Sequence, residues 1–304
     1  MEPNQAGITA LITAYSRAYH ATHDMPILFN DFLAKHLFTP QESAFFDLQL
    51  STLLKMIDPD LAAQNSDQVS ALALVMQLQT GPITLSRSRY CEDELEKAVE
   101  AGVDQYVILG AGFDTFAFRH PELADRLKIF EVDHPFTQGM KLQRIAAANW
   151  HVPDNLHMVP VDFTKDNFMD ALTGSGFDPA KKSFFSWLGV TYYLSIQSIT
   201  NTLNAIANNT ASGSMIVFDY VDDAGFIAEK ACRAVQLMQT IARQSGEPML
   251  TSFEPDKLNL FLKMNGFSLV DNLSPAVIEK RYFQNRQDRY HAIENVHIAR
   301  AMIN

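Results

Sequence analysis

Residues 106–133 read YVILGAGFDTFAFRHPELADRLKIFEVD, and the fold of the chain turns on this stretch. Tyr106-Val107-Ile108-Leu109 is a short run of strand formers that ends in Gly110-Ala111-Gly112, a turn signal. That is the pattern of a buried parallel strand entering a glycine-rich turn. Phe113, Phe116, Ala117 and Arg119, ahead of Pro121, fit one or two helical turns. A second strand, Lys128 to Val132, ends at Asp133. Gly110 and Gly112 carry no Cβ, so a ligand can approach the backbone closely there. An acid ending the second strand is placed to accept hydrogen bonds from ribose hydroxyls.

The glycine spacing bears on which nucleotide. A dinucleotide fingerprint asks for a third glycine, for close helix–strand packing, where this chain has the β-branched Thr115. What remains, G-x-G with an acid on the second strand, is the layout of an S-adenosylmethionine (SAM) site. An NAD-linked oxidoreductase is the competing enzyme reading, disfavoured by Thr115. No H-x-x-x-H, C-x-x-C or carboxylate cluster suggests a metal, no G-x-S-x-G a hydrolase, and no G-x-x-x-x-G-K-[ST] an NTPase.

Outward from this stretch, strands and helices alternate. Strands are expected at Leu156–Val161, Ser183–Leu188, Ser214–Tyr220, Phe267–Val270 and Glu294–Ala301. Helices are expected around Asp166–Leu172, Ile196–Ala207, Ala224–Arg243 and Pro255–Asn265. Such alternation implies right-handed crossovers and a parallel sheet. No helix pattern separates the last two strands, so the final one is expected to run antiparallel. Residues 1–80 read as helical, from Ile8, Leu11, Ile12 and Tyr15 onward, with no hairpin signal. Ser86 to Tyr90 are read as preceding a helix, Glu92–Val99, closed by Gly102.

The chain has 304 residues, 47% of them hydrophobic, ample for a core. Its net charge of −11 argues against a general nucleic-acid binder, which needs a basic footprint. Two distant cysteines, Cys91 and Cys232, support neither a disulfide framework nor a metal site. The first ten residues lack a signal-peptide pattern, and the longest near-apolar run, Ala71–Met76, is far short of a membrane helix. A cytoplasmic location, with no membrane or nucleic-acid partner, is the expectation.

Ser86-Arg87-Ser88-Arg89-Tyr90, V-I-L-G-A-G-F-D-T-F-A-F-R, F-E-V-D-H-P at 130–135, Val161-Asp162-Phe163, the run Ser186 to Leu194 and the tail Tyr282 to Arg286 carry a family likeness. Together they resemble the leucine carboxyl methyltransferase family. They are most similar to its bacterial branch of SAM-dependent O-methyltransferases, which includes carboxyl- and hydroxyl-methylating enzymes of polyketide biosynthesis. The likeness covers residue 80 to the C-terminus well and the first 80 residues loosely. It implies a class I methyltransferase: a single α/β domain, 1–304, with a Rossmann-like seven-stranded, mostly parallel sheet in 81–304. Helices cover both faces, and 1–80 forms a helical cap over the strand ends.

The resemblance also assigns residues. One arginine of the R-x-R, Arg87 in preference to Arg89, would fork onto the SAM methionyl carboxylate, a role suited to guanidinium. Gly110 and Gly112 would leave room for the cofactor, Asp133 would take the ribose, and Asp162 and Phe163 would contact the adenine. Leu188 stands where family members often carry Glu, which removes one polar contact from that wall. Tyr192 and Tyr193 are candidates for the substrate side, although aromatics at a strand–helix junction are more often core. His20, His23, His134, Arg281 and Arg286 are the remaining polar candidates for substrate contact, and no catalytic base stands out. The implied reaction is methyl transfer to a carboxyl or hydroxyl oxygen of a small, polyketide-like acceptor. Methylation of a protein C-terminal carboxyl, and a SAM-binding protein without catalysis, are the alternatives.

Overall fold

The computed structural model describes residues 6–163 and 166–304. Its helices, in chain order, are α1 Ala6–His23, α2 Pro40–Thr52, α3 Leu54–Ile57, α4 Pro59–Gln64, α5 Gln68–Val75, α6 Gly81–Glu100 and α7 Phe116–Arg119. There follow α8 Pro135–Ala147, α9 Phe168–Gly174, α10 Ile196–Asn208, α11 Arg233–Gln244, α12 Leu258–Met264 and α13 Pro275–Ile278. The strands are β1 Gln105–Leu109, β2 Lys128–Asp133, β3 Leu156–Pro160, β4 Ser183–Trp187, β5 Met215–Val221, β6 Phe267–Leu273 and β7 Val296–Ile303.

The strands form one seven-stranded sheet in the order β3-β2-β1-β4-β5-β7-β6. From β3 to β5 all pairs are parallel, and β7 runs antiparallel between β5 and β6. The order reverses direction at β1 and β4, where an open α/β sheet presents its ligand crevice.

Alternation along the strands splits the core in two. Val107, Leu109, Phe130, Val132, Phe185 and Trp187 face α9, α10 and α12 through Phe168, Leu203 and Leu262. Tyr106, Ile108, Ile129, Phe184 and Val217 face α6 and α7 through Leu95, Val99 and Phe116. Helix α10 shows the local logic: Ser195 caps it by accepting from the Ser198 N–H at 3.1 Å, and Ile199, Leu203 and Ile206 bury one stripe. The N-terminal helices build a third cluster, from Leu11, Tyr15, Phe46, Leu54, Val75 and Met76, which takes in Phe113 and Leu237 from the body of the chain.

Two expectations about helix bounds are corrected. Arg87 and Arg89 do not precede a helix; they lie inside α6, which begins at Gly81. Pro82 sits in the first turn, where its missing N–H costs nothing, and a π turn, Met76–Thr80, carries the chain into it from α5. The resulting run, Gln68–Glu100, is long and apolar enough to cross a membrane by composition, but 61% of its most apolar window is buried inside the protein. The long helix expected over Ala224–Arg243 is shorter: a 3₁₀ turn occupies Asp223–Phe226 and α11 begins at Arg233. Asp222 caps that turn by accepting from the Gly225 N–H at 2.9 Å. A Cβ on Gly225 would stand 2.5 Å from Val221 Cγ1, so the backbone is pressed against β5 there.

Candidate functional site

The glycine turn leaves β1 with left-handed backbone at Gly110 (φ +72°) and Gly112 (φ +52°), which favours glycine. A Cβ on Gly110 would come within 2.7 Å of Val190 Cγ2, and one on Gly112 within 3.1 Å of Ala10 Cβ. The N-terminal helix α1 therefore lies directly on the turn. A buried ionic chain fastens it there. Arg17 donates to Asp31 at 2.8 Å and to the Phe113 carbonyl at 2.8 Å, and Thr115 donates to Asp31 at 2.6 Å. Thr115, which broke the dinucleotide pattern, thus serves the cap.

Asp133 ends β2 and accepts from the backbone N–H of Gly112 at 2.5 Å and of His134 at 2.6 Å. Burial pushes its carboxyl above the ordinary range, against the pull of those two N–H groups. Each oxygen keeps a second lone pair for a ribose hydroxyl. Deeper on the same strand, buried Glu131 pairs with Lys141 of α8, and its Oε1 has no partner. At the end of β3, Asp162 N–H bonds Asp166 at 2.8 Å, and Phe163 is 45% exposed, tilted on Phe168. Residues 164 and 165, next in the sequence, lie outside the described residues.

Arg87 is buried, 6% exposed. Its Nη1 donates to Asp219 Oδ2 at 2.9 Å and to the Tyr192 hydroxyl at 3.1 Å. Burial opposes the charge, but the Asp219 carboxylate more than compensates and holds the guanidinium above its ordinary value. Gly189 (φ +74°) makes room: a Cβ there would lie 2.5 Å from Arg87 Nη2. The Gly189 N–H donates to Asp219 Oδ1 at 2.6 Å, which ties the turn after β4 to the same carboxylate. Arg89, two residues on, faces outward, its side chain 50% exposed and paired with Asp93. Leu188 packs on the face covered by α6.

Strands β1 to β5 run parallel, so Gly110, Gly112, Asp133, Asp162, Leu188 and the Arg87–Asp219 pair share the carboxyl edge of the sheet. Beside this edge lies a cavity of about 120 Å³ between the cap and α11. Arg87, Tyr192 and Tyr193 form its floor, with Ile12, Leu53 and Ile241 among its apolar walls. Tyr192 is core as well as lining, 4% exposed. Among the described residues no group of three or more His, Cys, Asp or Glu is placed to hold a metal.

The other polar candidates are occupied structurally. His20 is buried between Asp24, at 2.8 Å, and the Leu28 N–H. His23 stacks on Tyr19, His134 caps α8, Arg281 lies over Tyr90, and Arg286 pairs with Asp288. Sequence reasoning missed Asp219 and Gly189. The signal for Asp219 was a lone acid in the otherwise apolar strand MIVFDYV; for Gly189, a glycine directly after β4.

The residues present suit SAM. They offer a carboxylate on the ribose strand, a guanidinium with room beside it, and two glycines where side chains would collide. The sheet order, with its antiparallel β7, and this edge define a class I methyltransferase fold. Two solved structures share it: a DUF574 family protein from Streptomyces avermitilis (TM-score 0.55, 13% identity, 96% of this chain and 97% of that one) and a Thermobifida fusca protein described as a candidate methyltransferase (TM-score 0.56, 15% identity, 84% and 94%). The family model for leucine carboxyl methyltransferase matches residues 10–207, and the chain belongs to that family. It is 39% identical over 99% of both chains to the Bacillus subtilis "Putative S-adenosyl-L-methionine-dependent methyltransferase YktD". A Parafrankia protein of the same designation is 33% identical over 75% of this chain and 67% of its own. The protein is a SAM-dependent methyltransferase.

Proposed function

We propose that the chain transfers the SAM methyl group to a carboxyl or hydroxyl oxygen of a small, polyketide-like acceptor held in the cavity beneath the cap. The observation that carries this reading is the cavity itself: it is apolar, about 120 Å³, and shares Arg87 and Tyr192 with the carboxyl edge of the sheet. On this reading Arg87 binds the methionyl carboxylate, Asp133 the ribose, and Asp162 and Phe163 the adenine, while Gly110 and Gly112 keep the backbone open and Leu188 lines the wall. Tyr192 and Tyr193 face the acceptor. The chain works as one unit in the cytoplasm, with 1–80 as a lid on 81–304 and neither nucleic acid nor membrane as partner.

SAM brings a sulfonium methyl that is already electrophilic, so the hard chemistry is the cofactor's. The protein's part is to hold the acceptor oxygen in line with that methyl and to exclude water, which can supply about 7–11 kcal/mol of the barrier. The C–S bond breaks with its electron pair left on sulfur, and the O–C bond forms. An acceptor carboxylate arrives without a proton, and a hydroxyl must lose one.

The test is incubation of the purified protein with methyl-labelled SAM and a metabolite extract, read by mass spectrometry. A labelled methyl ester or ether supports the reading. Label that appears on nitrogen or on protein, or on nothing while S-adenosylhomocysteine raises the melting temperature, refutes it.

A further inference from the structure

We propose that Lys141 is a positioning residue of the cofactor site, its buried ammonium supporting the Asp133 carboxylate that receives the ribose. The inference rests on the assignment of the ribose to Asp133 and adds a residue behind it.

Helix α8 starts at the turn that Asp133 closes, where His134 accepts from the Phe136 N–H at 3.2 Å. One stripe of the helix, Thr137, Gln138, Lys141 and Ile145, is buried. Two of these residues fasten it to β2. Gln138 Nε2 donates to the Glu131 carbonyl at 2.8 Å, and the Lys141 ammonium pairs with the Glu131 carboxylate. Both charged side chains are 1% exposed. Glu131 and Asp133 are two residues apart on one strand, so their side chains leave the same face of the sheet about 7 Å apart. Lys141 is thus within electrostatic reach of Asp133, and its charge draws the Asp133 carboxyl downward.

Stability is a weak reason for this pair. Taking an ammonium and a carboxylate out of water costs much of what their attraction returns, and well-packed apolar side chains do as well. The match is also incomplete. Glu131 Oε1 has no partner, and Glu131 is the single hydrogen-bond partner of the Lys141 ammonium among the described residues. Burial pushes the Glu131 carboxyl up to about 7. Below that pH Glu131 holds a proton, and the Lys141 charge is left to the next acid on the strand. Burial pushes Asp133 upward as well, and a charged carboxylate accepts a hydroxyl more strongly than a neutral carboxyl does.

The other groups around Asp133 do not replace Lys141. His134 spends its Nδ1 as an acceptor, the role of a neutral ring. Asp114 in the glycine turn and Asp162 at the end of β3 are themselves acids. Arg144, a turn beyond Lys141, is taken by Glu42 and the Leu37 carbonyl. Arg17 of α1 is taken by Asp31 and the Phe113 carbonyl.

The experiment is calorimetric titration of the full-length protein with S-adenosylhomocysteine from pH 5 to pH 7.5. The ligand is the same throughout, so its own titration cancels between variants. Wild-type affinity should fall on the acid side as Asp133 takes its proton. In Lys141→Met the fall should move to higher pH, with binding about fivefold or more weaker than wild type at pH 5 and a gap that narrows toward pH 7. Glu131→Gln breaks the ion pair but keeps the ammonium, and should leave the fall where wild type has it. The double variant Lys141→Met/Glu131→Gln, which leaves no buried charge behind, should repeat the Lys141→Met profile and answers the question if the single variant does not fold. Lysine variants whose profiles keep the wild-type shape overturn the proposal. So does Glu131→Gln moving the fall as far as Lys141→Met, because the pair would then act as a structural clamp. Asp133→Asn should bind weakly at every pH and show no acid fall. Wild-type affinity in that variant overturns the ribose assignment underneath, which separates the two failures.

Discussion

Replacing Asp219 by asparagine isolates the charge that holds Arg87. In the native protein the two side chains meet at 2.9 Å, with 8% and 0% exposure. Two unit charges about 4 Å apart attract by ~4 kcal/mol at an effective dielectric near 20. Removing one partner of a buried pair costs about 3–5 kcal/mol. Asparagine keeps an oxygen for the Gly189 N–H, now at 2.6 Å, but turns an amide donor toward a guanidinium that needs an acceptor. Urea denaturation of ligand-free Asp219→Asn should therefore show a loss of about 3–5 kcal/mol. S-adenosylhomocysteine carries the methionyl carboxylate. If Arg87 binds that group, the ligand returns the missing anion, and its stabilising effect at a given concentration should exceed that on wild type. Unchanged stability without ligand would refute the pair as a stabilising element. An equal ligand-induced gain in both proteins would refute Arg87 as the carboxylate clamp.

Arg87→Lys keeps the charge but loses the planar fork, so SAM affinity should drop at least tenfold, about 1.4 kcal/mol, by calorimetry. Arg89→Lys, at an exposed site, should change it little; equal effects would count against the assignment. Asp133→Ala should weaken SAM by about 1–3 kcal/mol and, because Gly112 and His134 lose their acceptor, should also lower the melting temperature. Full affinity in a folded variant would remove Asp133 from the ribose site. Gly189→Ala should reduce both stability and SAM binding, since its Cβ would stand 2.5 Å from Arg87 Nη2; wild-type melting and binding would contradict the close approach. Burial raises the Glu131 carboxyl from 4.5 to about 7, against the opposing pull of Lys141. An acid with a raised folded-state pKa keeps its proton longer in the folded chain, so stability should fall as pH rises from about 4.5 to about 7. Urea melts across that range should show a flatter slope for Glu131→Gln, and an unchanged slope would count against Glu131 as its source.

The sheet was legible because its signals are local. Each strand is a short apolar run bounded by a turn, and β1, the glycine turn and β2 lie within one stretch of chain. The start of α6 was not legible. Gly81-Pro82 reads as a breaker, and only the π turn before it shows why the helix absorbs a proline. Asp219 was missed because its meaning depends on Arg87, 132 residues away, and on the backbone of Gly189. Nothing within the strand itself says which partner a buried acid will find. The same holds for Gln79, which reads as an ordinary polar helix residue until its buried Oε1 is found without a partner. His20 and Arg286 show the converse: residue types suited to chemistry, consumed by partners that sequence spacing does not reveal.

The hydrophobic cluster of the N-terminal helices has a consequence for biosynthesis. Its early members, from Leu11 to Met76, leave the ribosome first, yet it is completed by Phe113 and by Leu237 of α11. Between Met76 and Leu237 lie about 160 residues, which at roughly 5–20 residues per second take on the order of ten to thirty seconds to synthesise. For that interval a set of leucines, phenylalanines and tyrosines has no finished surface to pack on. Helix α1 waits in the same way for the glycine turn it must rest against. The N-terminal helices therefore keep apolar surface exposed until α11 has been made. Early termination before α11 would leave a chain whose first third is helical in pattern but has no lasting place to fold.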